Sequence, residues 1–383
     1  MVWYGQLTFS PAAERHFPAV ERSNVPLLES AAGEKDGSDE RPRNSYDVSG
    51  MSLKKLQGKI LASIVLGLVV MMILSLFSDL HAVGGSLGHF AWLHVPVVLS
   101  LVLINYCLRW VKWEYFLRRL RLGHGVCHSD SVLIFTSGMI MAVTPGKVGE
   151  VFKSYLLRRV NGTPVSLSAP IVLMERLTDG LAMLLLMALG LTLYPPARPL
   201  FVVLLALSCG GIALLQYRSL CTHIIDHWLT RLPSGQVLAP KLTNIYTSTY
   251  QLLNWRVLLL STGLSFVSWG LECVAFYFVL TGLGLSGTSL LLLQAIFIYA
   301  ASTLLGLVSF LPGGLGATEA SSAGLLITLV GMSASAATAA TIIIRFCTLW
   351  FGVAVGAVGL LWFSQRYRTS DVLEPEQAVL EQS

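Results

Sequence analysis

Long apolar runs alternate along the chain with short polar or basic stretches, after a polar lead of about fifty residues. A bilayer core about 30 Å thick needs roughly 20 apolar helical residues per crossing. Runs of that order are predicted at 60–77, 90–110, 166–194, 200–217, 256–280 and 336–363. They are continuous rather than alternating, which predicts helices and not a barrel. Two further apolar segments are interrupted. The run at 131–143 leads into "AVTPGKVGEVFK" (142–153), and the runs at 289–311 and 317–330 are joined through "FLPGGLGATEA" (310–320). Proline removes an N–H and glycine loosens the helix. The freed backbone groups are tolerated in lipid only where protein or a water-filled cavity covers them. The pattern therefore predicts an all-α polytopic membrane protein with about six full spans plus two re-entrant helical hairpins. If each hairpin limb crosses fully, the count rises and both ends still lie on one side.

Composition agrees with this class. The chain is 54% hydrophobic and 12% charged, with a mean hydropathy of +0.68. An average soluble domain carries roughly 25% charged residues. The net charge of +5 comes from clusters beside apolar runs and does not point to nucleic acid. Those clusters are Lys54/Lys55/Lys59; Arg109/Lys112/Arg118/Arg119/Arg121; Lys147/Lys153/Arg158/Arg159; Arg218/Arg231/Lys241/Arg256; and Arg366/Arg368. The positive-inside bias assigns them to the cytoplasmic face, which puts both termini in the cytoplasm and the protein in the inner membrane. "RWVKWEYFLRRLRLGH" (109–124) suits a helix lying in the headgroup interface, and suits a basic stop-transfer flank equally well.

The same map divides the chain. Residues 1–54 form a polar cytoplasmic extension predicted to be disordered, 55–368 the transmembrane domain, and 369–383 a polar cytoplasmic tail. The lead has no apolar h-region and is no signal peptide. Met51 opens a basic approach to the first span and is an alternative start. Within the domain, 218–255 is a cytoplasmic connector, helical in part. The six cysteines form no C-x-x-C pair and read as small core residues. "HGVCHSD" (124–130) reads as a solvated turn rather than a metal site, and no cofactor is expected.

The two interruptions align. Pro145, Gly146 and Gly149 match Pro312, Gly313 and Gly316 at an offset of 167 residues, which also carries Asn105 onto Glu272. Past the break the offset becomes 169, matching Glu150 to Glu319 and Arg176 to Arg345, with 26 residues between Glu and Arg in each unit. The charge map turns one hairpin to the cytoplasm and the other outward. Units 90–192 and 257–364 are thus candidate inverted-topology repeats, an architecture of secondary transporters with sites near the midplane. Charges at the bilayer centre cost at least about 2.5 kcal/mol each, so they face one another or a cavity. On one reading Lys147, Arg176 and Arg345 line a hydrated pocket for a phosphate headgroup, with Glu150, Glu272 and Glu319 orienting them or exchanging protons. On the other, Glu150–Arg176 and Glu319–Arg345 are structural pairs that lock each hairpin to its span. Glu175 and Asp179 stand four apart beside Arg176. Glu272 has no partner nearby in sequence.

"TPGKVGEVFKSYLL", "VLMERLTDGLAMLL", "FLPGGLGATEASSAGLL" and "IIIRFCTLW", in this order, resemble the flippase-like membrane family that includes the transmembrane half of lysylphosphatidylglycerol synthases. The likeness covers about 55–365, leaving the polar N-terminal lead without a counterpart. It implies site positions at Lys147, Glu150, Glu175, Arg176, Asp179, Gly313, Gly314, Glu319 and Arg345. It also implies a lipid translocase, or a lipid-binding relative, for an anionic phospholipid or polyprenyl-phosphate lipid. The chain ends fifteen residues after position 368, so the soluble synthase domain of such proteins is not expected. Nor is there a Walker A motif, so transport would be downhill or ion-coupled. Two alternatives are a membrane-embedded transferase acting on lipid-linked sugars or aminoacyl groups, and a non-transporting regulator of a lipid-synthesis enzyme. No nucleophile–base pair supports the transferase, so an enzyme is not expected. Cysteines introduced beside Gly149 and Gly316, in a cysteine-free background, should react with an impermeant thiol reagent from opposite sides. Reaction of both from one side would rule out the inverted arrangement.

Overall fold

The computed structural model of the chain describes residues 80–143, 150–223 and 235–380. The polar lead, the predicted span 60–77, and Pro145, Gly146, Lys147 and Gly149 lie outside these residues. Every described regular element is helical. A short helix α1 (Leu80–Gly88) precedes α2 (His94–Arg119), and α3 (His128–Met139) tightens into a 3-10 turn (Ile140–Val143) before the first break. Beyond that break run α4 (Phe152–Asn161), α5 (Val165–Leu189) and α6 (Arg198–Gln216). The connector holds α7 (Arg218–His223) and α8 (Gly235–Leu252). The second unit comprises α9 (Trp255–Gly282), α10 (Ser289–Val308), the second break, and α11 (Ala317–Leu325) with a π-helical turn (Leu326–Val330). It closes with α12 (Ala334–Arg345), a π turn (Phe346–Trp350) and α13 (Phe351–Leu380).

Among the described residues, five helical stretches are long and apolar enough to cross a membrane: His94–Arg119, Pro195–Gln216, Trp255–Gly282, Ser289–Val308 and Ala334–Tyr367. The protein is an integral membrane protein. Helix α5 is equally long but carries Glu175, Arg176 and Asp179 at its middle. The limbs before the two breaks are unequal. The first, His128–Val143, is a shorter apolar helix. The second, α10, has 20 residues and spans about 30 Å by itself. Helix α6 has no buried residue and offers its aliphatic side chains outward, as a lipid-facing span does. Helix α13 continues past 363, where the sequence predicts the last span to end, through the predicted tail to Leu380.

One expectation is corrected. The span predicted to stop at residue 110, with basic residues beyond it at the interface, is a single 26-residue helix. Lys112 does not end it because Asp179 of α5 meets its ammonium group inside the protein. A charge neutralised at contact distance no longer forces the chain to the surface.

Packing is exchanged between the two units. Helix α2 lies along α9, each unit's first long helix against the other's. The first unit's pre-break limb, α3, packs on α13, the last helix of the second unit. Reciprocally α10, the second unit's pre-break limb, packs on α5. The second break touches the end of the first limb: a Cβ on Gly313 would sit 3.5 Å from the Cα of Val143.

The α3–α13 contact rests on small residues. Gly352, Gly356 and Gly359 recur along one face of α13, and a Cβ on Gly356 would stand 3.0 Å from the Cα of Ile140 and collide with its nitrogen. Without hydrophobic drive between helices in lipid, such close approach of backbones supplies the attraction. By contrast, a Cβ on Gly210 of α6 would meet nothing within 4 Å. Gly356→Leu is therefore expected to destabilise the protein by about 1–3 kcal/mol through overpacking. Gly210→Ala should be neutral or slightly stabilising. Thermal denaturation in detergent would distinguish the two.

Candidate functional site

A polar belt crosses the middle of the long helices, between two apolar cores. On α2 the order is Val98 and Val102, then Asn105, Arg109 and Lys112, then Trp113, Phe116 and Leu117. On α5, Ile171 and Met174 belong to one core and Ala182 to Met187 to the other, with Glu175, Arg176 and Asp179 between. The belt continues on α9 with Ser265, Ser268 and Glu272. Sequence spacing explains it: Asn105, Arg109 and Lys112 are four and three residues apart and share one helix face.

The belt is held by ion pairs, most of which join different segments. Lys112 Nζ stands 2.5 Å from Asp179 Oδ1 and donates to Ser265 Oγ at 2.7 Å. Ser265 in turn donates to Asp179 Oδ1 at 2.9 Å. Lys153 Nζ lies 2.5 Å from Glu175 Oε2, over the rings of Trp113 and Phe135 at 5.0 and 5.3 Å. Its stem occupies space left by Gly138, where a Cβ would overlap it. Arg176 bridges Glu150 at 2.9 Å and Asp179 at 3.3 Å. In the second unit Arg345 Nε donates to Glu319 Oε1 at 2.5 Å, and its Nη2 donates to the Gly313 carbonyl at 2.8 Å. Glu319 is fully buried, and its other oxygen accepts the Gly316 N–H at 2.6 Å. That bond satisfies a donor at the start of α11 that lipid could not.

The second break is strained in a manner that glycine permits. Gly313, Gly314 and Gly316 have φ of 61°, 68° and 88°, and Phe310 has φ of 53°. A Cβ on Gly314 would stand 2.8 Å from Thr318 Oγ1 and 3.1 Å from the Cα of Gly306. The turn thus lies directly on α10, with no room for a side chain.

Between the two sets of pairs is a cavity of about 100 Å³. That volume holds about three water molecules at roughly 30 Å³ each. Its wall includes Arg109, Glu150, Lys153, Glu272, Tyr299 and Arg345, together with Tyr106, Trp269, Gly313 and Gly314. Arg109 stacks over the Trp269 ring at 5.6 Å, and no described carboxylate stands within ion-pair distance of it. Its charge is balanced at longer range, by Glu150 and Glu272 on the same wall.

Of the residues expected from sequence, Glu150, Glu272, Gly313, Gly314 and Arg345 line the cavity. Glu319 stands directly behind Arg345. For the others the structure supplies partners. Arg176 does not line the cavity, because Glu150 and Asp179 hold its guanidinium, the structural pairing of the two readings. Glu175 pairs with Lys153, and Asp179 with Lys112. Glu272 does have a partner, the Tyr299 hydroxyl, which donates to Oε2 at 2.5 Å across 27 residues of sequence. Lys147 lies outside the described residues. Arg109, Lys112 and Lys153 were read as membrane flanks, and belong to the interior. Their spacing from Asn105 and Glu150 was the available signal. Among the described residues no group of His, Cys, Asp and Glu could hold a metal ion.

Comparison with known proteins places this geometry. The family profile "Lysylphosphatidylglycerol synthase TM region" matches residues 60–356. A UPF0104 membrane protein of Methanothermobacter thermautotrophicus is 35% identical over 111 residues, 28% of this chain and 31% of that protein. Another from the same organism is 24% identical over 323 residues, covering 76% of this chain and 88% of the relative. One from Methanocaldococcus jannaschii is 27% identical over 220 residues, 57% of this chain and 92% of the relative. No solved structure matches the chain significantly.

Removing one member of a buried pair strands the other charge, at about 3–5 kcal/mol, whereas replacing both by apolar groups is often neutral. Lys153→Met is expected to lower stability by that amount, and Lys153→Met with Glu175→Met to recover most of it. Denaturation of the purified protein in mixed micelles measures both.

Proposed function

Because the chain belongs to the lysylphosphatidylglycerol synthase TM region family, we propose that it is a lipid translocase of the inner membrane. It would bind the phosphate of an anionic phospholipid or polyprenyl-phosphate lipid at mid-membrane and pass it between leaflets without covalent chemistry. The observation that carries this reading is the cavity wall itself. Arg109, Lys153 and Arg345 stand on the wall of one cavity in a helical membrane protein, and Arg109 has no described acid in ion-pair contact. A phosphate diester entering there would accept charge-assisted hydrogen bonds from these cations. Backbone breaks that line a cavity near the membrane midplane, within related halves, are what secondary transporters use for such passage.

In this reading the cavity opens and closes around the headgroup as lipid passes. Arg345 is the residue best placed to link binding with opening. It faces the cavity, and it also holds the second break through the Gly313 carbonyl and Glu319. A phosphate that draws Arg345 away would loosen that turn. Glu150 and Glu272 on the wall would balance the cations while the cavity is empty, and with Tyr299 offer groups able to exchange a proton in an ion-coupled cycle.

The test is leaflet exchange. Protein reconstituted in vesicles should accelerate the exchange of fluorescent phosphatidylglycerol, measured by dithionite quenching. Arg109→Gln should reduce the rate at least about tenfold, the loss of one charged hydrogen bond. Its thermal stability should stay near that of the parent, because no ion pair is broken. Arg345→Gln should reduce both rate and stability. Exchange no faster than in empty vesicles, across anionic and polyprenyl-phosphate lipids, would overturn the proposal.

A further inference from the structure

A second basic site is built at the end of the helices where α2, α6 and α8 finish and α9 begins. A groove of about 810 Å³ lies there, lined by Arg119, Arg121, Gln216, Tyr250, Asn254 and Trp255, among others. Two more arginines frame it through their aromatic neighbours. The Arg218 guanidinium lies over the Tyr250 ring at 5.8 Å, and that of Arg256 over Trp255 at 5.3 Å. None of its lining residues is acidic. Arg119 and Arg121 thus stand on one concave surface with three amides and two aromatic rings, and Arg218 and Arg256 lie against those rings.

Arg121 gives an independent indication. Helix α2 closes with the Leu122 N–H bonded to the Leu117 carbonyl at 2.9 Å, which leaves residue 121 with φ of 56°. At this position of a helix end glycine is the usual residue, since a Cβ is strained there. Arginine stands here against local preference, and strained non-glycine residues concentrate at binding sites. The surroundings favour a membrane-surface ligand. Trp255 and Tyr250 are exposed beside the groove, and Leu259 and Leu260, one turn further along α9, are exposed apolar residues that suit lipid contact. Aromatic rings with clustered arginine at a helix end are a headgroup-level combination.

We propose that this groove binds the phosphate of an anionic lipid headgroup from the leaflet on the basic side, as a site separate from the interior cavity. The recognition is bidentate pairing of guanidinium with phosphate oxygens, with the aromatic rings holding the remaining arginines in place. It does not depend on translocation: a protein that never moved lipid would still hold one here.

The experiment is native mass spectrometry of the full-length protein in detergent, titrated with phosphatidylglycerol and, in parallel, phosphatidylcholine. The parent should retain one more phosphatidylglycerol than phosphatidylcholine at this site. Arg119→Gln with Arg121→Gln should weaken that lipid on the order of tenfold or more. Arg121→Gly separates binding from folding, because glycine relieves the backbone strain: it should melt no lower than the parent and still bind more weakly. Arg345→Gln, which alters the interior, should leave this lipid in place. Displacement by millimolar inorganic phosphate would keep the anion site and assign it to a free phosphate. Phosphatidylglycerol binding that is unchanged in both groove variants, with no phosphate competition, would overturn the proposal.

Discussion

An ionised side chain inside a lipid-embedded helix bundle must meet an opposite charge at contact distance, or its desolvation is not offset. Helix α5 brings two acids and an arginine to its middle within five positions, and the arrangement around it follows from that constraint. Asp179 calls for Lys112, which keeps α2 helical past its basic residues and fixes its register on α5. Glu175 calls for Lys153, which holds α4 against α5. Arg176 calls for Glu150, the first described residue after the first break, and so ties that break to the same helix. The chain's path through the first unit is the path that neutralises α5.

Much of this was legible in the sequence, for a physical reason. A pair required in lipid must be present in each repeat, so Glu319 and Arg345 could be matched through Glu150 and Arg176 at one spacing, and they stand 2.5 Å apart. Helical class and the interrupted segments were equally plain, because lipid admits few alternatives to long apolar helices. Lys112 and Lys153 were not legible as interior residues. A lysine just beyond an apolar run looks the same whether it snorkels to headgroups or reaches an acid on another helix. Only the partner decides, and Asp179 lies 67 residues away. The Glu272–Tyr299 bond was hidden for a related reason: the repeat places a valine, Val132, where Tyr299 would have its counterpart.

The two units share a plan but not a charge inventory. Where the first has Lys112, Lys153, Glu175 and Asp179, the repeat offsets place Val279, Ser322, Ile344 and Thr348 in the second. The first break is therefore bound to its own unit by electrostatics. The second has one ion pair and relies on glycine conformations and on direct backbone contact with α10. Charge substitutions should act mainly on the first unit, and steric substitutions on the second.

The glycine face of α13 has a mechanical meaning. Most helix contacts interlock side chains, and sliding one helix along another must lift knobs out of holes. At Gly356 the backbone of α13 meets that of the first hairpin limb directly, and at Gly359 the Thr136 side chain fills the space a side chain there would take. On its other flank that hairpin is clamped to α5 by Glu150 and Lys153. Arg366 of α13 also reaches Asp130 of α3 at 3.1 Å, so the limb is gripped on both flanks. Sliding it along α13 would press Thr136 and Ile140 against the α13 backbone and break that pair. Sliding it along α5 would break two others, so the limb can shift only together with its neighbours.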